Sequence, residues 1–194
     1  MTSIRNSDSR DRILDAARDC VLGYGVRRTT LTDVARRAGL SRMTVYRHYP
    51  DATALVFDLM TREFSALLAE IEAEVGPAGT ARERLVRRIL LGVRRLRAHP
   101  LWVKVVDVDP ELLLTFVIDR FGGTQRAVLA EYTRVVAEGH EDGSIGKGDP
   151  TAQAYALLVT TQSFVLSAGI AERDGIDLDG ELERLLDGYL REAS

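Results

Sequence analysis

A single cysteine, Cys20, in 194 residues excludes an internal disulfide, and there is no cysteine pair at zinc-ligand spacing. Cys20 lies in an apolar helical pattern, which reads as a core thiol in a reducing compartment. Histidine is scarce too, with three residues scattered at 48, 99 and 140. No glycine-rich phosphate loop follows a strand, and no Gly-x-Ser-x-Gly elbow occurs. No uninterrupted apolar run approaches the roughly 18 residues that span a bilayer. The start, MTSIRNSDSRDR, has no apolar signal core. The expectation is a cytoplasmic protein with no membrane partner and no cofactor. Five prolines and no strand-like alternation longer than a few residues leave an all-α chain.

What is present is charge, unevenly placed. Residues 1–50 hold ten arginines, no lysine and five aspartates, a net of +5, whereas the remainder carries 16 basic and 24 acidic residues, a net of −8. The basic end is the one expected to meet a polyanion. A first helix is expected after a cap among Asn6, Ser7 and Asp8, buries Ile13, Ala17, Cys20 and Val21, and stops in Gly23-Tyr24-Gly25. Thr30, with Asp33 three residues on, opens a second helix. Gly39 suits a left-handed cap and Ser41 caps a third helix over about 42–49, which Pro50 ends.

That third helix carries the chemistry. Arg42, Thr44 and Arg47 fall on a polar face while Val45 and Tyr49 point inward. A helix that reads a major groove needs this mix, because arginine donates two hydrogen bonds to guanine and threonine offers a hydroxyl or a methyl. The spacing therefore predicts a helix-turn-helix domain over residues 1–50, with a plain helical hairpin as the competing reading of the pattern alone. A helical domain over 51–194 follows.

Residues 12–57 resemble the tetracycline-repressor (TetR) family of regulators, through Thr30-Leu31-Thr32-Asp33-Val34-Ala35, Ala38-Gly39-Leu40-Ser41, Leu55 and most specifically Val45-Tyr46-Arg47-His48-Tyr49-Pro50. The resemblance implies base-edge contacts from Arg42, Met43, Thr44 and Arg47, phosphate contacts from Tyr46 and His48, and backbone proximity for Thr30 and Thr32. It also implies a C-terminal domain that dimerises through its last two helices and encloses a small-molecule cavity. One departure stands out: Ala52 occupies the place where family members often carry a phosphate-reaching lysine. Arg5, Arg10 and Arg12 are the candidates to supply that charge.

Further along, a long helix is expected from Asp51 to about Val75, another over about 81–98 with seven arginines, and short ones over about 101–107 and 110–120, the latter capped by Asp109. A helix ending near Glu138 is expected next, then a polar loop from Gly139 to Ser144 and a helix begun by Asp149-Pro150. The segment 151–171 is apolar all round, which predicts burial on every side. The segment 178–190 carries one stripe. Tyr155, Leu158, Leu166, Leu182, Leu185 and Tyr189 are the expected homodimer contacts. Trp102, Phe116, Tyr132, Tyr155, Gln162 and Phe164 are the pocket candidates, with plain core packing as the competing reading. The seven arginines read as a salt-bridged surface, Asp107 and Asp109 as a solvated loop. Glu138, His140, Glu141 and Asp142, without a second cluster, do not make a metal site.

The resulting expectation is a ligand-responsive regulator, a repressor, that binds a near-palindromic double-stranded operator as a dimer and is released by a small-molecule effector. Two other readings stay open. A sequence-tolerant architectural protein would bind random duplex as tightly as its own promoter region, and a helical enzyme would assemble its site from distant residues.

Overall fold

The computed structural model describes residues 2–112 and 122–191, with side chains from residue 8 onward. Among these residues there are helices and no strand, as the periodicity predicts. They are α1 (Thr2–Tyr24), α2 (Leu31–Ala38), α3 (Arg42–His48), α4 (Ala52–Val75), α5 (Ala81–Ala98), α6 (Pro100–Val108), α7 (Gly123–Glu141), α8 (Pro150–Arg173) and α9 (Asp179–Leu190). Phe116 and most of the helix expected over about 110–120 lie outside the described residues.

Local chemistry sets the boundaries. Asp51 Oδ1 accepts the Ala54 N–H at 2.8 Å to open α4. Asp149 accepts the Thr151 N–H at 3.0 Å, with Pro150 in the first turn of α8 where its missing donor costs nothing. α5 opens on a reciprocal box: Thr80 Oγ1 accepts the Glu83 N–H, and the Glu83 carboxylate accepts the Thr80 N–H at 2.8 Å. Two ends differ from expectation. α1 begins at Thr2, ahead of the cap expected among residues 6–8, because no glycine or proline precedes Gly23 to interrupt it. α7 continues through Gly139 and His140 to Glu141, where a loop was expected. The Ile145 N–H bonds the Gly139 carbonyl at 3.0 Å, and the side chain of Ile145 folds onto the bare Gly139.

The chain divides into two compact units, one of residues up to Phe64 with Ala98–Gly122, the other of Ser65–Arg97 with Gly123 onward. The N-terminal unit is thus larger than the fifty residues expected. Leu101 and Val105 of α6 join Ile13, Leu14, Cys20, Val34, Val45, Leu55 and Leu59 in one core. Asp109 was expected as a helix cap beside a solvated loop. It is buried instead, and its carboxylate accepts the N–H groups of Val26 at 2.6 Å and Arg27 at 3.4 Å. Two backbone donors compensate the buried charge. Gly25, at φ +92°, leaves room for it: a Cβ there would lie 2.8 Å from both Asp109 Oδ2 and Val108.

In the C-terminal unit α7 packs along α8 over a core of Leu85, Ile89, Val93, Val135, Val136, Leu157 and Leu158. All seven arginines of 82–97 are engaged, on Asp187, Glu138, the Ala78 carbonyl, Glu72, Asp179, Glu74 and Glu172 in chain order. Five of them form the salt-bridged surface expected; Arg87 takes a carbonyl in place of a carboxylate, and Arg88 is buried. α8 is not buried on every side as its composition predicted. Ala154, Leu157, Leu158, Val165 and Ala168 face inward, whereas Tyr155, Val159, Leu166 and Ile170 are exposed. By length and composition alone α8 is also long and apolar enough to cross a membrane. The stripe on α9 splits in the same way, with Leu182, Leu186 and Leu190 inward and Leu185 and Tyr189 outward. Residues four apart share a helix face, and those three positions follow that spacing. Leu158 and Leu182, at 3% and 0% exposure, therefore pack within their own chain and leave no surface for the intersubunit contact expected of them.

Candidate nucleic-acid interface

Residues 25–58 build a short, rigid helical hairpin. Thr30 Oγ1 accepts the Asp33 N–H at 3.1 Å and donates to Asp33 Oδ2 at 2.6 Å, so its hydroxyl is committed to starting α2. Gly39, at φ +64°, ends α2 in the left-handed conformation, and its N–H and that of Leu40 satisfy the Arg36 and Ala35 carbonyls. Arg12 Nη2 donates to the Ala38 carbonyl at 2.7 Å from α1. Ser41 then starts α3: its Oγ accepts the Thr44 N–H at 3.1 Å and lies 2.9 Å from Thr44 Oγ1.

With both ends tied, α3 presents one face outward. Met43 is 77% and Tyr46 52% exposed, and Arg42 and Arg47 stand beside them. Val45 is fully buried beneath. Tyr49, also buried, donates its hydroxyl to Asp58 Oδ2 at 2.5 Å, and Arg10 grips the same carboxylate through two hydrogen bonds of 3.0 and 2.6 Å. Burial works against ionisation of Asp58, but the hydrogen bonds from Arg10 and Tyr49 outweigh it and hold its carboxyl below the ordinary range. Burial and the Asp58 hydrogen bond together push the Tyr49 phenol upward. Arg10–Asp58–Tyr49 thus fastens α1 and the end of α3 to α4. It also removes Arg10 from the supply of free charge.

Of the predicted DNA-contact residues, Arg42, Met43, Tyr46 and Arg47 share the outer face of α3. Thr44 and His48 are half-buried, and His48 Nε2 is a buried atom with no hydrogen-bond partner among the described residues. Thr32 is half-buried on α2. Ala52 is the first residue of α4 and packs against the core. The positioning roles of Asp58 and Asp109 were missed from sequence. Their partners lie up to 48 and 83 residues away, beyond any spacing rule.

The pocket candidates do not converge. Tyr132 is buried and Thr161 hydrogen-bonds it, and burial pushes its phenol up to about 12. Gln162 and Phe164 are half-buried on α8 but on opposite faces: Gln162, seven residues on, shares the outward face of Tyr155, and Phe164 lies on the inward side with Leu157 and Ala168. Trp102 belongs to the N-terminal unit. A cleft of about 630 Å³ in the C-terminal unit is lined by Gly79, Glu83, Arg87, Gly180, Glu183 and Asp187 among others, and by none of the five described candidates. His140 Nε2 lies 2.8 Å from Gln153 Oε1, a contact that ties α7 to α8.

Known proteins match this arrangement at both scales. The profile of the family described as "Bacterial regulatory proteins, tetR family" matches residues 13–59, from α1 into α4. The chain is 36% identical to the HTH-type transcriptional regulator Mb2274c of Mycobacterium bovis, over 98% of this chain and 100% of that protein. Among solved structures, RolR in complex with resorcinol superposes with a TM-score of 0.70 at 16% identity, covering 98% of this chain and 91% of that one. FadR from Bacillus subtilis, in complex with stearoyl-CoA, superposes with a TM-score of 0.64 at 17% identity, covering 93% and 98%. These structural likenesses are of fold alone.

Proposed function

The chain belongs to the TetR family of bacterial helix-turn-helix transcriptional regulators, and from that premise we propose that it is a homodimeric repressor whose α3 reads a near-palindromic operator and whose C-terminal helices bind a releasing small molecule. The observation that carries the reading is the outer face of α3. Arg42 and Arg47 are exposed there with no carboxylate partner among the described residues, on a helix anchored from behind by Val45 and Tyr49. Those guanidiniums suit guanine edges, and Met43 and the Thr44 methyl suit thymine. Tyr46 and His48 fit phosphate contacts that fix register. Thr30, its hydroxyl committed to Asp33, meets the backbone through the N–H groups that open α2, with Thr32 beside it.

Dimerisation follows from uncovered apolar surface. Tyr155, Val159, Leu166 and Ile170 on α8, and Leu185 and Tyr189 on α9, are too many exposed apolar side chains on two helices for solvent. A two-fold four-helix bundle covers them. A dimer supplies the two copies of α3 that reading successive major grooves, roughly 34–36 Å apart, requires. Among the described candidates, Tyr132 on α7 and Phe164 on the inward side of α8 are the ones assigned to an effector. The neighbours' resorcinol and stearoyl-CoA support small-molecule control here without choosing a ligand. An effector releases DNA only to the extent that it binds the non-binding state more tightly. The same role places the protein in the bacterial cytoplasm with its DNA.

Footprinting on the DNA flanking the gene tests the reading. A protected near-palindrome, lost on addition of one compound from a small-molecule screen, is the expected result. Equal affinity for that DNA and for random duplex overturns it.

A further inference from the structure

The arginines of the N-terminal unit differ sharply in what they touch. Arg10, Arg18, Arg27, Arg36, Arg37 and Arg62 each sit on a carboxylate: Asp58, Glu63, Glu111, Asp33, Asp19 and Asp15. Arg12 is turned onto the Ala38 carbonyl. Between residues 8 and 64 this leaves Arg28, Arg42 and Arg47 as the arginines without a protein partner among the described residues. Arg42 and Arg47 belong to the outer face of α3. Arg28 has no role in the packing of the fold.

The backbone that carries Arg28 is nevertheless held in place. It sits on the turn between α1 and α2, two residues before the Thr30 cap. The turn is tied on both sides of it: Thr29 Oγ1 donates to the Gly25 carbonyl at 2.7 Å and the Thr29 N–H to the Val26 carbonyl at 3.0 Å. The Val26 and Arg27 N–H groups are held by the buried Asp109 carboxylate. An exposed cation on a fixed backbone loses less conformational freedom on meeting a ligand than one on a mobile loop. The nearby helix starts bring no compensating charge. α2 carries Asp33 in its first turn, neutralised by Arg36, and α4 begins with Asp51 and Ala52. Positive charge beside such N–H donors supplies the salt-dependent part of phosphate-backbone affinity.

We propose that Arg28 is a DNA-phosphate contact, an unpaired cation on the tied α1–α2 turn beside the N–H groups that open α2. The proposal rests on the DNA-binding reading above. A phosphate contact adds affinity without sequence preference. It is read in the salt dependence of binding, so an unidentified operator is no obstacle.

The test is fluorescence anisotropy of the full-length protein over a range of salt concentrations. The probes are a random-sequence 30-base-pair duplex and a duplex from the DNA flanking the gene. Arg28→Gln is expected to bind both more weakly by the same factor, with the slope of log affinity against log salt reduced by about 1 for each protomer on DNA. Arg28→Lys restores the slope, and Lys147→Gln, a charge removed from an exposed loop of the other unit, leaves it unchanged. An Arg28→Gln slope equal to that of the unmodified protein, or a loss confined to the gene-flanking duplex, overturns the phosphate contact. Failure of the unmodified protein to bind either duplex instead overturns the DNA-binding reading beneath it.

Discussion

Val45 and Arg47 stand two residues apart on the same seven-residue helix, one fully buried and the other exposed. That opposition follows from the 100° step of a helix, which is why Arg42 and Arg47 could be placed outward by spacing before any coordinates. Met43 and Tyr46 came from the family resemblance, and Thr44, also placed outward, is half-buried. Arg42→Ala is expected to weaken operator binding by about 1–3 kcal/mol and to relax preference at one base pair, measured by anisotropy on matched and mutated sites. Asp58 has no such local signal. Its partners Arg10 and Tyr49 reach it from α1 and the end of α3, and the carboxyl is held below its ordinary value of 3.8. A depressed carboxylate stabilises the fold above its unfolded pKa, and that contribution disappears as pH falls through the lower folded value. Asp58→Asn should therefore lower the melting temperature by a constant amount between about pH 5 and 7, and the gap should begin to narrow near about pH 4 and close only as pH falls through the lower folded value. A gap that persists in acid would mean that shape, not charge, is what Asp58 supplies.

At the scale of elements, caps were legible because each is a short-range pattern. Asp51, Ser41 and Asp149-Pro150 all open helices where the sequence places them. The end of α7 was not, because glycine normally stops a helix and here Gly139 is kept inside one for the space it leaves. A Cβ at that position would lie 2.4 Å from Ile145 Cδ1 and 2.9 Å from its Cβ. In an open helix Gly→Ala gains up to about 1 kcal/mol. Overpacking against a branched side chain costs about 1–3 kcal/mol, so the crowding wins. Gly139→Ala is expected to destabilise the protein in urea unfolding, and Ile145→Ala in the same chain to recover part of the loss. A Gly139→Ala variant as stable as the unmodified chain would show that Ile145 can move aside.

At the scale of the whole molecule, the exposed faces of α8 and α9 make the strongest demand for a partner. Val159→Glu combined with Leu185→Glu is expected to give a folded monomer in sedimentation velocity, with helical circular dichroism retained and operator affinity lost. A variant that still sediments as a dimer would move the interface elsewhere. Leu182→Glu, by contrast, acts on a fully buried site and should unfold the C-terminal unit. The sequence by itself determined the helical class, the helix-turn-helix with its capped α2 and α3, the outward placing of Arg42 and Arg47 on α3 and the concentration of positive charge at the N-terminal end. Periodicity, capping and charge count act over a few residues and need no partner. Only the tertiary structure decided that α6 belongs with the DNA-binding unit through Asp109, that Leu158 and Leu182 face inward while Tyr155 faces out, and that most arginines of the basic end are already paired. Each of these depends on which distant side chain arrives at a given face. That is set by packing across the fold and carries no mark in the local order of residues.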